Sequence, residues 1–246
     1  MVNETIESLL GKIRSSYINI ELIRIGGPGD GGYLMPNLAN EISCCFSPGV
    51  SNVADFEKQL IEKYDIDCYL ADGSVNQPPI TSKKVHFLKK FIKNPKDKDS
   101  ITLKKWVQST SACNSKDLLL QMDIEGSEYA VILGEEDDFL KKFKCMIIEF
   151  HFLEKIEKIE YARLIYVIFE KLLKHFYIVH IHPNNCCGIA NVLGYQIPRV
   201  VEVTFLRHDI LKKTDVIREK KTFPHKLDSP NLLDRPELIL PPEWHK

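Results

Sequence analysis

The chain has 246 residues, room for one large α/β domain or two small ones, with a single core as the default. Its 44% hydrophobic and 27% charged residues form an ordinary globular balance, which excludes a disordered, collagen-like or disulfide-scaffold chain. Lys plus Arg number 33 against 34 Asp plus Glu, a net charge of -1, so no global field recruits nucleic acid or an anionic membrane.

Residues 3–16 read as an amphipathic helix, and the acids around it, with no apolar stretch of ~7–15 residues, exclude a secretory signal. RIGGPGDGGYLMP at 24–36 follows as a loop whose five glycines serve tight turns or close approach to a ligand. Apolar ISCCFSPG then opens a regular alternation. A helix over VADFEKQLIEKY, with Val53, Phe56, Leu60 and Tyr64 on one face, and the strand CYLADG complete a βαβ unit. A strand near VHFLKKFI (85–92), a helix from Thr102 and a buried strand in DLLLQMDIEG (117–126) continue it. Then come CMIIEFH (145–151), a helix over 160–174, FYIVHIH (176–182) and, after a long connection, RVVEVTFLRHD (199–209).

Seven strands with helices between the first six predict a doubly wound, mainly parallel α/β sheet covered on both faces. Within one domain, residues 1–40 supply the helix and glycine-rich loop, 41–209 the core, and 210–246, with five of the 13 prolines, an irregular arm. The longest apolar run, six residues from Leu164 to Phe169, is far short of the ~20 that span a bilayer. Seven cysteines is an odd number for a secreted framework, and the adjacent pairs Cys44-Cys45 and Cys186-Cys187 suit neither ordinary disulfide geometry nor zinc spacing. A cytoplasmic protein is the expectation.

Ligands of such sheets sit beyond the carboxyl ends of the strands, so the residues there carry the chemistry. In FSPGVSN, Gly49 lets a cofactor approach the backbone and Ser51 or Asn52 can cap the next helix, while the lack of GxGxxG argues against a dinucleotide. Asp72, ending the second strand, can accept from vicinal ribose hydroxyls or cap its own turn. The fourth strand runs straight into Asp123, Glu125 and Glu128, acids that are costly there unless they meet a cation or hydrogen-bond donors. Glu125 and Glu128 also suit a helix amino terminus; Asp123 does not. With Glu149 these acids could hold Mg²⁺, although nothing in the spacing demands it. His180 and His182 share a strand face near His175 but lack a third ligand at motif spacing, so no metal site is expected there. Nine lysines between Lys83 and Lys105 face only Asp97 and Asp99. They read as a solvated face or as an attraction for a phosphorylated or nucleotide-linked acceptor, and no interleaved aromatics suit RNA.

FSPGVSNVADFE (46–57), DCYLADGSV (67–75), ITLKKWV (101–107), LLLQMDIEGSEYAVI (118–132) and MIIEFH (146–151) together resemble the FkbM family of S-adenosylmethionine-dependent methyltransferases, on the class I methyltransferase (Rossmann-like) fold. GGPGDGGYLMP, HPNN (182–185) and PRVVEVTFLR (198–207) resemble one branch of it, so the likeness runs in order over about residues 24–207. The resemblance implies an antiparallel last strand and a methyl donor over Gly49 and Asp72, with Ser47, Val50, Ser51, Gly73, Asp123 and Glu125 around it. It further implies O-methylation of a sugar, glycan or other small hydroxyl compound. Methyl transfer needs in-line positioning and removal of the acceptor proton, for which a neutral His151, close to Glu149 and Asp123, is the candidate base. Asp30, Tyr33, His182, Asn184 and Asn185 are the expected acceptor contacts. Two other readings stand beside this one, a catalytically silent binding domain of the same fold and a metal-dependent hydrolase using Asp123, Glu125 and Glu128. Retention of Asp72 and Asp123 favours the transferase. Neither the acceptor's identity nor an oligomeric state has a signature in the sequence.

Overall fold

The computed structural model describes residues 2–93, 98–212 and 222–246. Seven strands form the central sheet: β3 (Cys44–Pro48), β4 (Asp67–Ala71), β5 (Val85–Leu88), β8 (Leu118–Met122), β9 (Phe143–Phe150), β10 (Phe176–Pro183) and β13 (Val201–Arg207). Their spatial order is β10-β13-β9-β8-β3-β4-β5. Pairing is parallel from β5 through β9, and β13 alone runs antiparallel to its neighbours β9 and β10. The chain therefore starts its sheet in the middle, at β3, builds outward to β5, and returns to β8 on the other side.

Strand alternation sorts side chains between two cores. Cys44, Phe46, Leu118, Leu120, Met122, Met146, Ile148 and Phe150 face one, under α1 (Val2–Ser16), α3 (Leu103–Gln108), α4 (Glu128–Gly134) and α6 (Ile159–Leu173). Helix α1 buries Ile6, Leu9, Leu10 and Ile13, the one-sided spacing of an amphipathic helix, against α6. Phe46 stacks on Tyr69 at 4.8 Å and meets Trp106 edge-on at 5.0 Å, pairs worth ~0.5–1.5 kcal/mol each beyond their buried area. Cys45, Cys68, Leu70, Leu119, Cys145 and Ile147 face the other way, under α2 (Asp55–Tyr64). The short α5 (Asp137–Leu140) leads into β9.

Several expectations change on contact with the fold. The glycine-rich stretch is not a free loop: it joins β1 (Leu22–Ile25) to β2 (Tyr33–Pro36) as an antiparallel hairpin with Ile25 opposite Tyr33. Single four-residue strands flanking five glycines leave too little alternation to be seen in sequence. Val53 lies before α2 and is exposed, because the helix begins only at Asp55. The 85–92 segment breaks in two, β5 and the two-residue β6 (Phe91–Ile92), which pairs with β7 (Ser100–Ile101). The long connection before β13 holds a second hairpin, β11 (Ile189–Val192) with β12 (Tyr195–Pro198). Cys186 and Cys187, expected as free thiols, form a disulfide, while the other five cysteines are free.

Among its described residues the arm has no helix or strand apart from a 3-10 turn at Pro242–Trp244, where Leu240 and Trp244 join the core under α1. Residues 213–221 of it, and Lys96 and Asp97 of the lysine-rich stretch, lie outside the described residues. Among the described residues no helix is long and apolar enough to cross a membrane.

Candidate functional site

The strands β3 and β8 are adjacent and parallel in the sheet, but the chain leaves β3 toward β4 on one side and β8 toward β9 on the other. A crevice opens at such a switch because the connections leave it on opposite sides. A cleft of about 100 Å³ lies there, lined by Asp30, Tyr33, Gly49, Val50, Ser51, Gln121 and Asp123 among others.

Gly49 has φ +89, and a Cβ on it would overlap the backbone carbonyl of Asp123, so glycine is required by the neighbouring strand end. Neither Ser51 nor Asn52 caps α2, whose N-cap is Ala54 with no side-chain hydrogen bond. Ser51 instead takes φ +44 and donates its N–H to Asp72 Oδ2 at 2.8 Å. Asp72 Oδ1 accepts from the Ser74 N–H at 2.7 Å and its hydroxyl at 2.6 Å. Asp72 thus ties two turns together, and of about four lone-pair positions one is left for a ligand. Gly73 beside it lies against the exposed ring of Phe91, where a Cβ would come within 2.5 Å.

Glu57 and Gln121, which the sequence did not single out, line the cleft together with the expected Asp30 and Tyr33. Glu57 on α2 is fully buried, lines the cleft, and has its carboxyl pushed up by burial although Ser47 hydrogen-bonds it. Gln121 donates to the Tyr33 hydroxyl at 3.1 Å. Asp30, exposed at the rim, accepts from the Gly31 N–H at 2.9 Å, and desolvation raises its pKa as well. Glu57 was hidden because an acid on a helix reads as solvent-facing until the fold turns it inward.

On the other side of Asp123 stands His151, just past β9. Glu128, buried at the start of α4, accepts from the His151 backbone N–H at 2.8 Å and faces Nδ1 at 3.3 Å. Tyr129 donates its hydroxyl to the His151 carbonyl at 2.6 Å. The ring's Nε2 is then turned toward Glu125 Oε2 at 3.5 Å, Glu149 Oε1 at 3.6 Å and Asp123 Oδ1 at 3.7 Å. Burial disfavours the charged ring, but the Glu128 hydrogen bond and the carboxylates of Glu128, Asp123 and Glu125 outweigh it, and the pKa rises above 6.5. Burial likewise raises Asp123 to about 7, opposed by His151 and reinforced by Glu125, and holds Glu149 well above the carboxylate range. His151 thus stands among four carboxylates, whose charge favours the protonated ring over the neutral imidazole expected.

HPNN divides between tasks. Asn184 donates to Glu149 Oε1 at 3.1 Å and so belongs to the cluster's support. Asn185 spends its amide on the arm, donating to the Leu232 carbonyl at 2.9 Å and accepting from the Leu232 N–H at 2.8 Å. His182 is clamped between Glu202 at 3.1 Å and Glu237 at 2.9 Å. Asn185 and His182 therefore latch the arm and do not line the cleft. His180 pairs with Asp228 at 2.8 Å and His175 with Asp137 at 2.9 Å, so the three histidines do not converge.

A model of the methyltransferase FkbM domain matches residues 33–179, more than half of the 246. The chain belongs to the FkbM methyltransferase family. The matched segment carries Gly49, Asp72, Asp123 and His151 together, whereas the arm's contacts lie beyond it. Comparison with curated proteins finds no match. As an FkbM-family methyltransferase, the protein has its strand-end residues on a sheet whose order brings the turns after β3, β4, β8 and β9 to one side.

Proposed function

We propose that this methyltransferase uses S-adenosylmethionine, on the class I fold, to methylate a hydroxyl of a sugar, glycan or other small polyhydroxylated acceptor. The observation that carries the reading is the meeting of Asp123 with both halves of the site: it lines the cleft beside Gly49 and faces His151 across the cluster. A seven-stranded sheet with an antiparallel last strand and a crevice between β3 and β8 supports the fold assignment.

Three acids, Asp30, Glu57 and Asp123, line the cleft. They suit the ammonium and sulfonium charges of the donor's amino-acid end, for which a cavity of about 100 Å³ has room. Asp72 and the Gly73 surface beside the Phe91 ring suit its nucleoside end. When bound, the donor supplies an electrophilic methyl group: the acceptor O–C bond forms as the S–C bond breaks, leaving a neutral thioether. The Asp123, His151 and Glu149 cluster receives the acceptor's proton, Asp123 being raised by burial to about 7, where proton transfer at neutral pH is efficient. Glu128 and Asn184 hold the cluster's geometry, and Asp30 and Tyr33, at the cleft wall between the two halves, face donor and acceptor alike.

Calorimetry of the full chain with S-adenosylmethionine and S-adenosylhomocysteine tests the donor assignment. Saturable binding of both is expected, and binding of neither overturns it. With an acceptor in hand, His151→Ala lowers kcat by ~10²-fold or more while donor affinity stays nearly unchanged. A kcat within a few-fold of wild type would remove His151 from the proton path.

A further inference from the structure

We propose that Asp123, Glu125, His151 and Glu149 form a binding site for one divalent transition-metal cation. One ligand atom each from Asp123, Glu125 and His151 lie within 4.8 Å of one another. The distances from His151 Nε2 to the three carboxylates, 3.5, 3.6 and 3.7 Å, are too long for hydrogen bonds and too short for independent solvation. They match the separation of ligands around a common ion: two donors ~2.1 Å from a metal and ~110–120° apart are ~3.4–3.6 Å from each other.

Two independent features point to an occupant. Glu149 is 5% exposed, yet its Oε2 is buried with no hydrogen-bond partner, and Asp123 Oδ1, the atom turned toward Nε2, is also buried without one. Buried carboxylate oxygens are ordinarily satisfied, and a cation beside Nε2 satisfies Asp123 Oδ1, with Glu149 presenting Oε1 to the same point at 3.6 Å. The second feature is Glu128. It is fully buried and faces Nδ1, so that Nε2 is presented to the cluster, the arrangement by which a carboxylate fixes a metal-binding histidine. This also separates the acids that the sequence grouped together: Glu128 orients, while His151 joins Asp123, Glu125 and Glu149 as a ligand.

One imidazole among carboxylates favours an ion of the Mn²⁺ or Zn²⁺ kind over Mg²⁺ or Ca²⁺, which take oxygen-rich sets. Glu125 is largely exposed at the outer side, so the site opens to solvent, and with an ion on Nε2 the ring no longer takes a proton: the ion-bound cluster and the His151 base are alternative states of one site. The base role rests on the transferase reading; binding of the ion does not.

The test is titration calorimetry of the full chain with Mn²⁺ in the absence of donor, and with S-adenosylmethionine in a separate titration. One Mn²⁺ per chain is expected, with thermal stabilisation on binding. Glu125→Gln, at a side chain 84% exposed and so harmless to folding, and Asp123→Asn each weaken Mn²⁺ at least ~10-fold. No saturable Mn²⁺ binding, or binding that both variants leave untouched, overturns the site. Failure of donor binding with Mn²⁺ binding intact overturns the transferase reading instead.

Discussion

The carbonyl oxygen of Asp123 occupies the space that a side chain on Gly49 would need, and the Asp123 N–H donates to the Pro48 carbonyl at 3.2 Å. The turn after β3 and the end of β8 are thereby locked together backbone to backbone. Because Asp123 belongs to both the cleft and the His151 cluster, this one contact sets the distance between the two. Gly49→Ala combines a forbidden overlap with an unfavourable positive φ and is expected to cost about 3 kcal/mol or more. Urea unfolding reads it directly; a loss under ~1 kcal/mol would mean the strand ends can part cheaply.

Asp72 is expected to matter for binding and for loop order together. Asp72→Ala removes the acceptor for Ser51 and Ser74 and should weaken S-adenosylmethionine by ~10-fold or more while lowering stability by ~1–3 kcal/mol. Calorimetry and melting on the same variant separate the two effects. Loss of stability with unchanged affinity would leave Asp72 as a turn cap only.

The histidine latch makes stability pH-dependent on the alkaline side. Burial opposes the charge of His182, but Glu202, Glu237 and Asp228 more than compensate, and its pKa rises from 6.5 to about 10. A folded-state value above the unfolded one stabilises fully below about pH 6.5, and the gain is lost as pH rises through about 10. The difference in Tm between wild type and His182→Gln should therefore shrink from pH 7 to pH 10. A constant difference would show that the ring is neutral throughout.

Asn185 holds the arm through three main-chain acceptors, Leu232, Arg235 and Pro236, and accepts from the Leu232 N–H. Asn185→Ala strands those groups and is expected to cost ~1–3 kcal/mol and to expose residues 222–246 to limited proteolysis. Cleavage at the wild-type rate would show that His180, His182 and Asn231 suffice to hold it.

Residue pattern determined the sheet strands, helices α1 and α2 and the turn residues Gly49, Asp72 and Asp123, because apolar periodicity and punctuation act over a few neighbouring residues. The FkbM blocks add order along the chain. Tertiary structure alone decided what those residues meet. Glu128 and Glu149 are 21 residues apart in sequence, and only the return of β9 beside β8 sets them around His151. His182 and Asn185 look like ligands at a strand end until the arm, 47–55 residues further on, arrives to bind them. Glu57 turned inward and Ser51 turned from cap to donor for the same reason. Local sequence specifies which groups are available, but the partner that fixes a polar side chain's role comes from distant chain, and its arrival depends on long-range packing that no short window of residues encodes.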